Sequence, residues 1–329
     1  MALKKDFITT QDWKREELDE LLDITTEVKS NSQKYATSLN SKSFCMLFYN
    51  PSTRTRNSCE VAVHELGGHA VFNSLKDTWI GFQSESIKDT ANVLARYFDA
   101  IGIRIFPNIV NWRYKEGNKI MQDYAKHANI PVINFEDDMY HPCQALTDIY
   151  TIKEKLGKVE NKKVVISWAY HPKALPMSVT NSILLASTRY SMDVTLAHPK
   201  GFDLDKDIIK IAKNNVKEYG GSFEISNNNT ESYKDADVIY LKSWGSLKEY
   251  GNMKVEKQMR IPYRESWRLK SEHMELTNKK SVFMHCLPVR RNLVVDDEVI
   301  DGPHSIVYDQ AENRLHNMKA LLFYLLANH

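Results

Sequence analysis

From Ser43 to Asn50 the chain is an almost unbroken run of apolar or readily buried side chains, and Pro51 follows it. A short apolar run closed by a turn signal predicts a buried strand. Proline has no N–H to donate and stops the ladder. Cys59, Val61, Val63 and Leu66 then predict a helix that Ser52 or Thr53 can cap. Upstream, Thr9 or Thr10 can cap a first helix, with Trp13, Leu18, Leu21, Leu22, Ile24 and Val28 at helical spacing. Downstream the pattern predicts a strand over 70–74, a loop over 76–84 carrying Trp79, a helix over 86–98 and a strand over 100–106. A helix over 118–127, a strand over 131–135 and a helix opened by Pro142 and closed by Gly157 come next.

The alternation continues with strands over 163–170, 193–198, 222–226, 237–242, 281–286 and 305–308, with helices between several of them. A last helix over 312–328, apolar on one face, is expected to pack back on the first domain. The pattern predicts an α/β protein of two doubly wound parallel-sheet domains, residues 1–150 with 310–329 and residues 151–309. Such sheets put ligands at the C-terminal ends of their strands.

Composition narrows the class. The 329 residues are 42% hydrophobic and 26% charged with a formal net charge of +2, ordinary values for a globular chain. No basic block suggests nucleic acid, and no apolar run suggests a membrane span or signal peptide. Cys45, Cys59, Cys143 and Cys286 are dispersed, neither a disulfide framework nor a zinc pattern, which points to a reducing cytoplasm. His64, Glu65 and His69 miss the zinc-protease spacing, and neither a GxGxxG nor a Walker loop occurs.

Candidate chemistry gathers at predicted strand ends. Ser52, Thr53, Arg54, Thr55 and Arg56 open a helix, where orphan N–H groups and the helix dipole attract anions. Arginine forks suit phosphate. Solvated arginines on an ordinary helix start fit this stretch equally well. Arg104 sits inside an apolar strand and needs a partner or a site. His141 and Gln144 open another helix, where a lone histidine is more often structural than catalytic. His285 and Cys286 invite a Cys/His nucleophile reading, although substrate shaping suits a strand end better.

Three signatures occur in order: STRTR at 52–56, HPCQ at 141–144 and HCLP at 285–288. With Arg104 between the first two, they resemble the aspartate/ornithine carbamoyltransferase family over nearly the whole chain. Aspartate enzymes carry proline where Cys286 stands, so the ornithine side is indicated. The Asp and Ser-Met-Gly loop that holds free ornithine is absent from LKSWGSLKEYGN (241–252). SWAYHPKALPMSVTNS (167–182) is similar to the proline-rich loop of the knotted branch acting on N-acetylornithine or N-succinylornithine. There are two departures. Val294 replaces a modifiable lysine, and Ser84 replaces a Glu or Pro that separates acetyl from succinyl enzymes.

The resemblance implies a knotted C-terminal domain, long helices joining the domains, and a cytoplasmic homotrimer that needs no cofactor or metal. Its substrates would be carbamoyl phosphate and an ornithine-type amine, in arginine biosynthesis. Carbamoyl phosphate contacts would be Ser52, Thr53, Arg54, Thr55, Arg104, His141, Gln144, Cys286, Leu287 and Arg314, with Trp79 from a neighbouring subunit. Arg104, His141 and Thr55 would stabilise the oxyanion. The amino acid would meet Glu136, Asn181, Lys242, Lys257, Cys286, Leu287 and Arg290. Glu136, Asp137 and Asp138 could instead hold the α-ammonium of free ornithine.

Overall fold

The computed structural model describes residues 5–82 and 84–327. It divides into two compact units, one built from the chain up to Thr147 together with the segment from Glu312, the other from Asp148–Ala311.

The first unit opens with an extended segment. Phe7 forms a parallel bridge to Ile133, and its N–H donates to the Val132 carbonyl at 2.9 Å. Thr9 caps only a short 3-10 turn, Thr10–Asp12, and the chain is extended again at Trp13. The first helix therefore starts later than the hydroxyl cap suggests. It is α1, Arg15–Ser30, where Glu17 accepts the Lys14 N–H at 2.8 Å. Trp13 is pinned instead, its indole N–H donating to the Asp6 carbonyl at 2.8 Å.

Next come β1 (Ser43–Phe48), α2 (Arg54–Glu65), β2 (His69–Ser74), α3 (Ile87–Tyr97), β3 (Ala100–Arg104), α4 (Glu116–His127), β4 (Val132–Glu136) and α5 (Pro142–Leu156). The expected loop around Trp79 contains two 3-10 turns, Leu75–Asp77 and Trp79–Phe82. Gln83, in the same loop, lies outside the described residues. The sheet is parallel in the order β2-β1-β3-β4. Since β1 has neighbours reached by connections running opposite ways, the crevice opens beyond β1 and β3.

Gly102 on β3 is required by packing: an added Cβ would lie 2.1 Å from Phe135 Cζ. Past Ile103 the register slips. Ile103 pairs with Asn134 but Arg104 pairs with Glu136, skipping Phe135. Glu136 takes φ 152° there, and its N–H is held by Asn134 Oδ1 at 3.0 Å.

The second unit holds β5 (Lys163–Trp168), α6 (Ser178–Arg189), β6 (Asp193–Ala197), α7 (Lys206–Tyr219), β7 (Ser222–Ser226), α8 (Asn229–Tyr233), β8 (Val238–Lys242), α9 (Met253–Arg260), α10 (Ser271–Met274), β9 (Val282–Met284) and α11 (Asp297–Ile300). Its parallel sheet runs β7-β6-β5-β8-β9, so its crevice lies beyond β5 and β8.

The expected strand over 305–308 does not form. Ser305 makes one bridge to Phe283, and α12 (Val307–Leu326) begins two residues later. The apolar run Ile306–Val307 reads as a strand, but Gln310 N–H already donates to the Ile306 carbonyl at 2.9 Å. Asn328, the expected end of this helix, lies outside the described residues.

Candidate active site

In the first unit, Thr53 precedes α2, but its side chain makes no cap hydrogen bond, contrary to the cap expected there. First-turn N–H groups of a helix have no intrahelical acceptor, and Ser52, Thr53 and Arg54 are all at least partly exposed. Asn50 Oδ1 accepts the Phe106 N–H at 3.1 Å and so ties this loop to the end of β3. Arg56, by contrast, is a packing residue. Its guanidinium lies 3.6 Å from the Phe72 ring centroid and 3.6 Å from Glu60 Oε2.

Arg314 on α12 joins two helix starts. It donates through Nη1 to Gln144 Oε1 at 2.6 Å and through Nη2 to Thr55 Oγ1 at 3.1 Å. Because Thr55 Oγ1 accepts from a cation, its own O–H is left to donate to an anion. Arg104, buried at the end of β3, donates to Glu136 Oε2 at 2.6 Å and stacks 4.4 Å from the Phe106 ring. His141 Nε2 lies 3.7 Å from the same Glu136 oxygen. Thus Thr55, Gln144 and Arg314 form one group, and Arg104, Glu136 and His141 another.

Asp137 and Asp138, considered above for an ammonium, are committed to the fold. The two Asp137 oxygens accept from the Met139 and Tyr140 N–H groups and from the Asn118 and Asn134 amides, at 2.6–2.9 Å. Burial and the neighbouring Asp138 push Asp137 up to about 7. Asp138 Oδ1 accepts the Asn118 N–H at 2.8 Å. Cys143 of HPCQ is also structural, its thiol pushed by burial up to about 12. Trp79 is 70% exposed, and Ser84 donates to its carbonyl from Oγ at 3.1 Å.

In the second unit, the loops after β5 and β8 are braced by a buried ion pair that sequence reasoning missed. Arg260 Nη2 and Glu256 Oε1 are in direct contact on α9. Arg260 also donates to the carbonyls of His171 (2.9 Å) and Trp244 (3.2 Å), while Glu256 accepts the Ser246 N–H at 3.3 Å. Only i,i+4 spacing signals this pair, and such spacing usually marks a solvated helix face.

His171 was missed as well. Arg290 Nε–H donates to His171 Nε2 at 3.0 Å, which places the ring proton on Nδ1, 2.8 Å from the Lys173 carbonyl. Burial, against the hydrogen bond to Lys173, and the cations Arg290, Arg260 and Lys242 push His171 down to about 4. Arg290 is therefore brought to a neutral histidine, with Lys242 a weaker electrostatic influence on it. Lys257 is exposed on α9, and Asn181 is fully buried within α6. Cys286 is half-buried, and Leu287 takes φ 52°. Val294 is 3% exposed, a site for an apolar side chain.

Each parallel-sheet unit thus gathers charge near its own strand ends, Arg104 and Arg314 in the first and Arg290 beside His171 in the second. The carbamoyl phosphate-binding domain of aspartate/ornithine carbamoyltransferase matches residues 5–154, and the Asp/Orn binding domain matches residues 175–325. The chain belongs to the aspartate/ornithine carbamoyltransferase family.

Within that family it is 42% identical to the N-acetylornithine carbamoyltransferase of Xanthomonas campestris pv. campestris, over 98% of this chain and 97% of that one. It is 39% identical to the ornithine carbamoyltransferase of Pyrococcus horikoshii, over 98% and 96%. A solved acetylornithine transcarbamylase complexed with acetylcitrulline matches with a TM-score of 0.92 at 42% identity, over 98% and 99% of the two chains.

Proposed function

We propose that this carbamoyltransferase moves the carbamoyl group of carbamoyl phosphate to the side-chain amine of N-acetyl-L-ornithine. The products are N-acetyl-L-citrulline and phosphate, a step of arginine biosynthesis. The observation that carries the acceptor is the group around His171. Arg290 contacts a histidine kept neutral, with Lys242 adding positive potential, and this suits an α-carboxylate beside an uncharged amide. A free α-ammonium placed there would face cations, and burying one without a partner costs several kcal/mol.

On this reading Ser52, Thr53, Arg54 and Arg104 hold the phosphate. Thr55, Arg104 and His141 stabilise the oxyanion as the amine attacks. Gln144 and the carbonyls of Cys286 and Leu287 orient the carbamoyl NH2, with Arg314 holding Gln144 and Thr55 in place. Asn181 and Lys257 complete the amino-acid contacts by resemblance alone. The attacking amine ordinarily has a pKa near ~10 and must lose its proton before attack.

The same resemblance supports a knotted amino acid-binding domain and a homotrimer in which Trp79, exposed on its loop, reaches a neighbouring subunit. A cytoplasmic location fits the four dispersed cysteines, and among the described residues no helix is long and apolar enough to cross a membrane.

A second reading, free ornithine as acceptor, is favoured by the 39% identical Pyrococcus relative. Steady-state kinetics with N-acetyl-L-ornithine, N-succinyl-L-ornithine and L-ornithine decides between them. The expected order of kcat/KM is acetyl, succinyl, free, and a higher value for free ornithine overturns the acceptor. Mixing Arg54→Ala with Trp79→Ala subunits tests the trimer. Recovered activity is expected, and none in properly mixed assemblies would assign Trp79 to its own chain.

A further inference from the structure

Along β9 the Val282 N–H donates toward β8, to the Asp237 carbonyl, and the Phe283 N–H donates toward the opposite edge, to the His304 carbonyl, so the His285 N–H also faces that opposite edge and calls for an acceptor there. A side chain supplies one: Gln310 Oε1 on α12 accepts it at 3.1 Å. Gln310 is 1% exposed, and its Nε2 donates to Asp148 Oδ1 on α5 at 2.7 Å. That carboxylate fixes the amide's orientation, because only the NH2 end can face it. His285 Nδ1 in turn accepts the Leu287 N–H at 2.8 Å. A chain of hydrogen bonds therefore runs from Asp148 through Gln310 and His285 to Leu287, whose φ of 52° departs from ordinary extended backbone.

We infer that Gln310 and Asp148 are positioning residues, which aim the Cys286 and Leu287 carbonyls at the substrate by holding the turn that bears them. The inference rests on the role proposed above for those carbonyls. Neither residue touches the reacting atoms. Their effect falls on orientation, which belongs to kcat, and not on phosphate affinity, which other residues provide. Misplacing an orienting group by about 1 Å can cost on the order of 100-fold.

The test is steady-state kinetics of the full chain with carbamoyl phosphate and N-acetyl-L-ornithine. Gln310→Leu should lower kcat at least about tenfold while KM for carbamoyl phosphate moves less than about threefold. Gln310→Glu supplies a sharper readout and covers the case in which the leucine variant fails to fold. The introduced carboxyl must be protonated to donate to Asp148. The groups facing it are Asp148 on α5, Tyr240 on β8 and His285 on the turn, with Cys286 acting on Tyr240. Tyr240 stays protonated, since burial beside Asp148 pushes it well above its ordinary value.

Activity of Gln310→Glu should thus approach wild type at low pH and fall as pH rises, with a midpoint above the ordinary carboxyl range. A parallel pH profile in variant and wild type, or an unchanged kcat in Gln310→Leu, overturns the inference. Absence of carbamoyl transfer in the wild-type chain would instead overturn the reading on which it rests.

Discussion

In the first unit Thr55 and Gln144 stand in the opening turns of α2 and α5, and one arginine, Arg314, reaches both. In the second, His171 and Arg290 come from irregular segments 119 residues apart, and a buried Arg260–Glu256 pair stiffens the loops around them. The first cluster is positioned by regular structure, the opening turns of two helices. The second depends on side chains that hold loops in place. Regular elements are costly to distort, whereas a braced loop fails when its brace fails.

The largest effect should therefore come from Glu256→Gln. It leaves the Arg260 guanidinium buried without its counter-charge, and such a loss costs about 3–5 kcal/mol. Thermal unfolding should show a strong drop in Tm, and KM for the acceptor should rise more than KM for carbamoyl phosphate. Equal changes in both constants would erase the contrast between the units.

Arg104→Ala should lower kcat by about 100- to 1,000-fold, the usual cost of a lost oxyanion donor, with a native-like circular dichroism spectrum but a lower Tm, because buried Glu136 loses its counter-charge. Arg54→Ala should act on carbamoyl phosphate affinity through the same site. Near-wild-type affinity in both variants would refute the anion cradle.

Gly102→Ala should cost about 1–3 kcal/mol by overpacking against Phe135, measured by denaturant titration. This would show that the first unit's rigidity extends into its sheet.

The last effect is absent at neutral pH and emerges only on acidification. His171 has a native pKa of about 4 against an ordinary value of 6.5. As pH falls the unfolded chain takes up this proton first, so the group removes stability progressively between about pH 6.5 and pH 4 and nothing above that window. His171→Gln should flatten the stability profile there. An unchanged slope would mean that the ring is not held neutral in the native state.

These contrasts also mark what was legible beforehand. The Ser43 strand, its proline stop and the helix of Ser52–Arg56 could be read locally, because run length, turn chemistry and hydroxyls lie side by side. The Thr53 cap could not be verified that way, since its hydroxyl makes no such bond. Partners distant in sequence stayed hidden. Nothing near His171 announces Arg290, and nothing near His285 announces Gln310. Arg260 reads as a surface charge until Trp168 and Phe202 are seen 5.6 and 5.5 Å away. Ser305–Tyr308 misled because a strand and the first turn of a buried helix present the same short apolar run.

The slipped register between β3 and β4 places a constraint on how this site can change. Along a regular ladder Arg104 would stand beside Phe135, and Glu136 would point to the opposite face. The one extra residue reverses that parity and delivers the carboxylate to the arginine. The ion pair is thus specified by a residue count as much as by the identities of Arg104 and Glu136. A homologue could exchange many neighbouring side chains and keep the pair, but a one-residue deletion between Val132 and Glu136 would lose it even with every charged group retained. In alignments of such chains, gaps in this strand carry more information than substitutions.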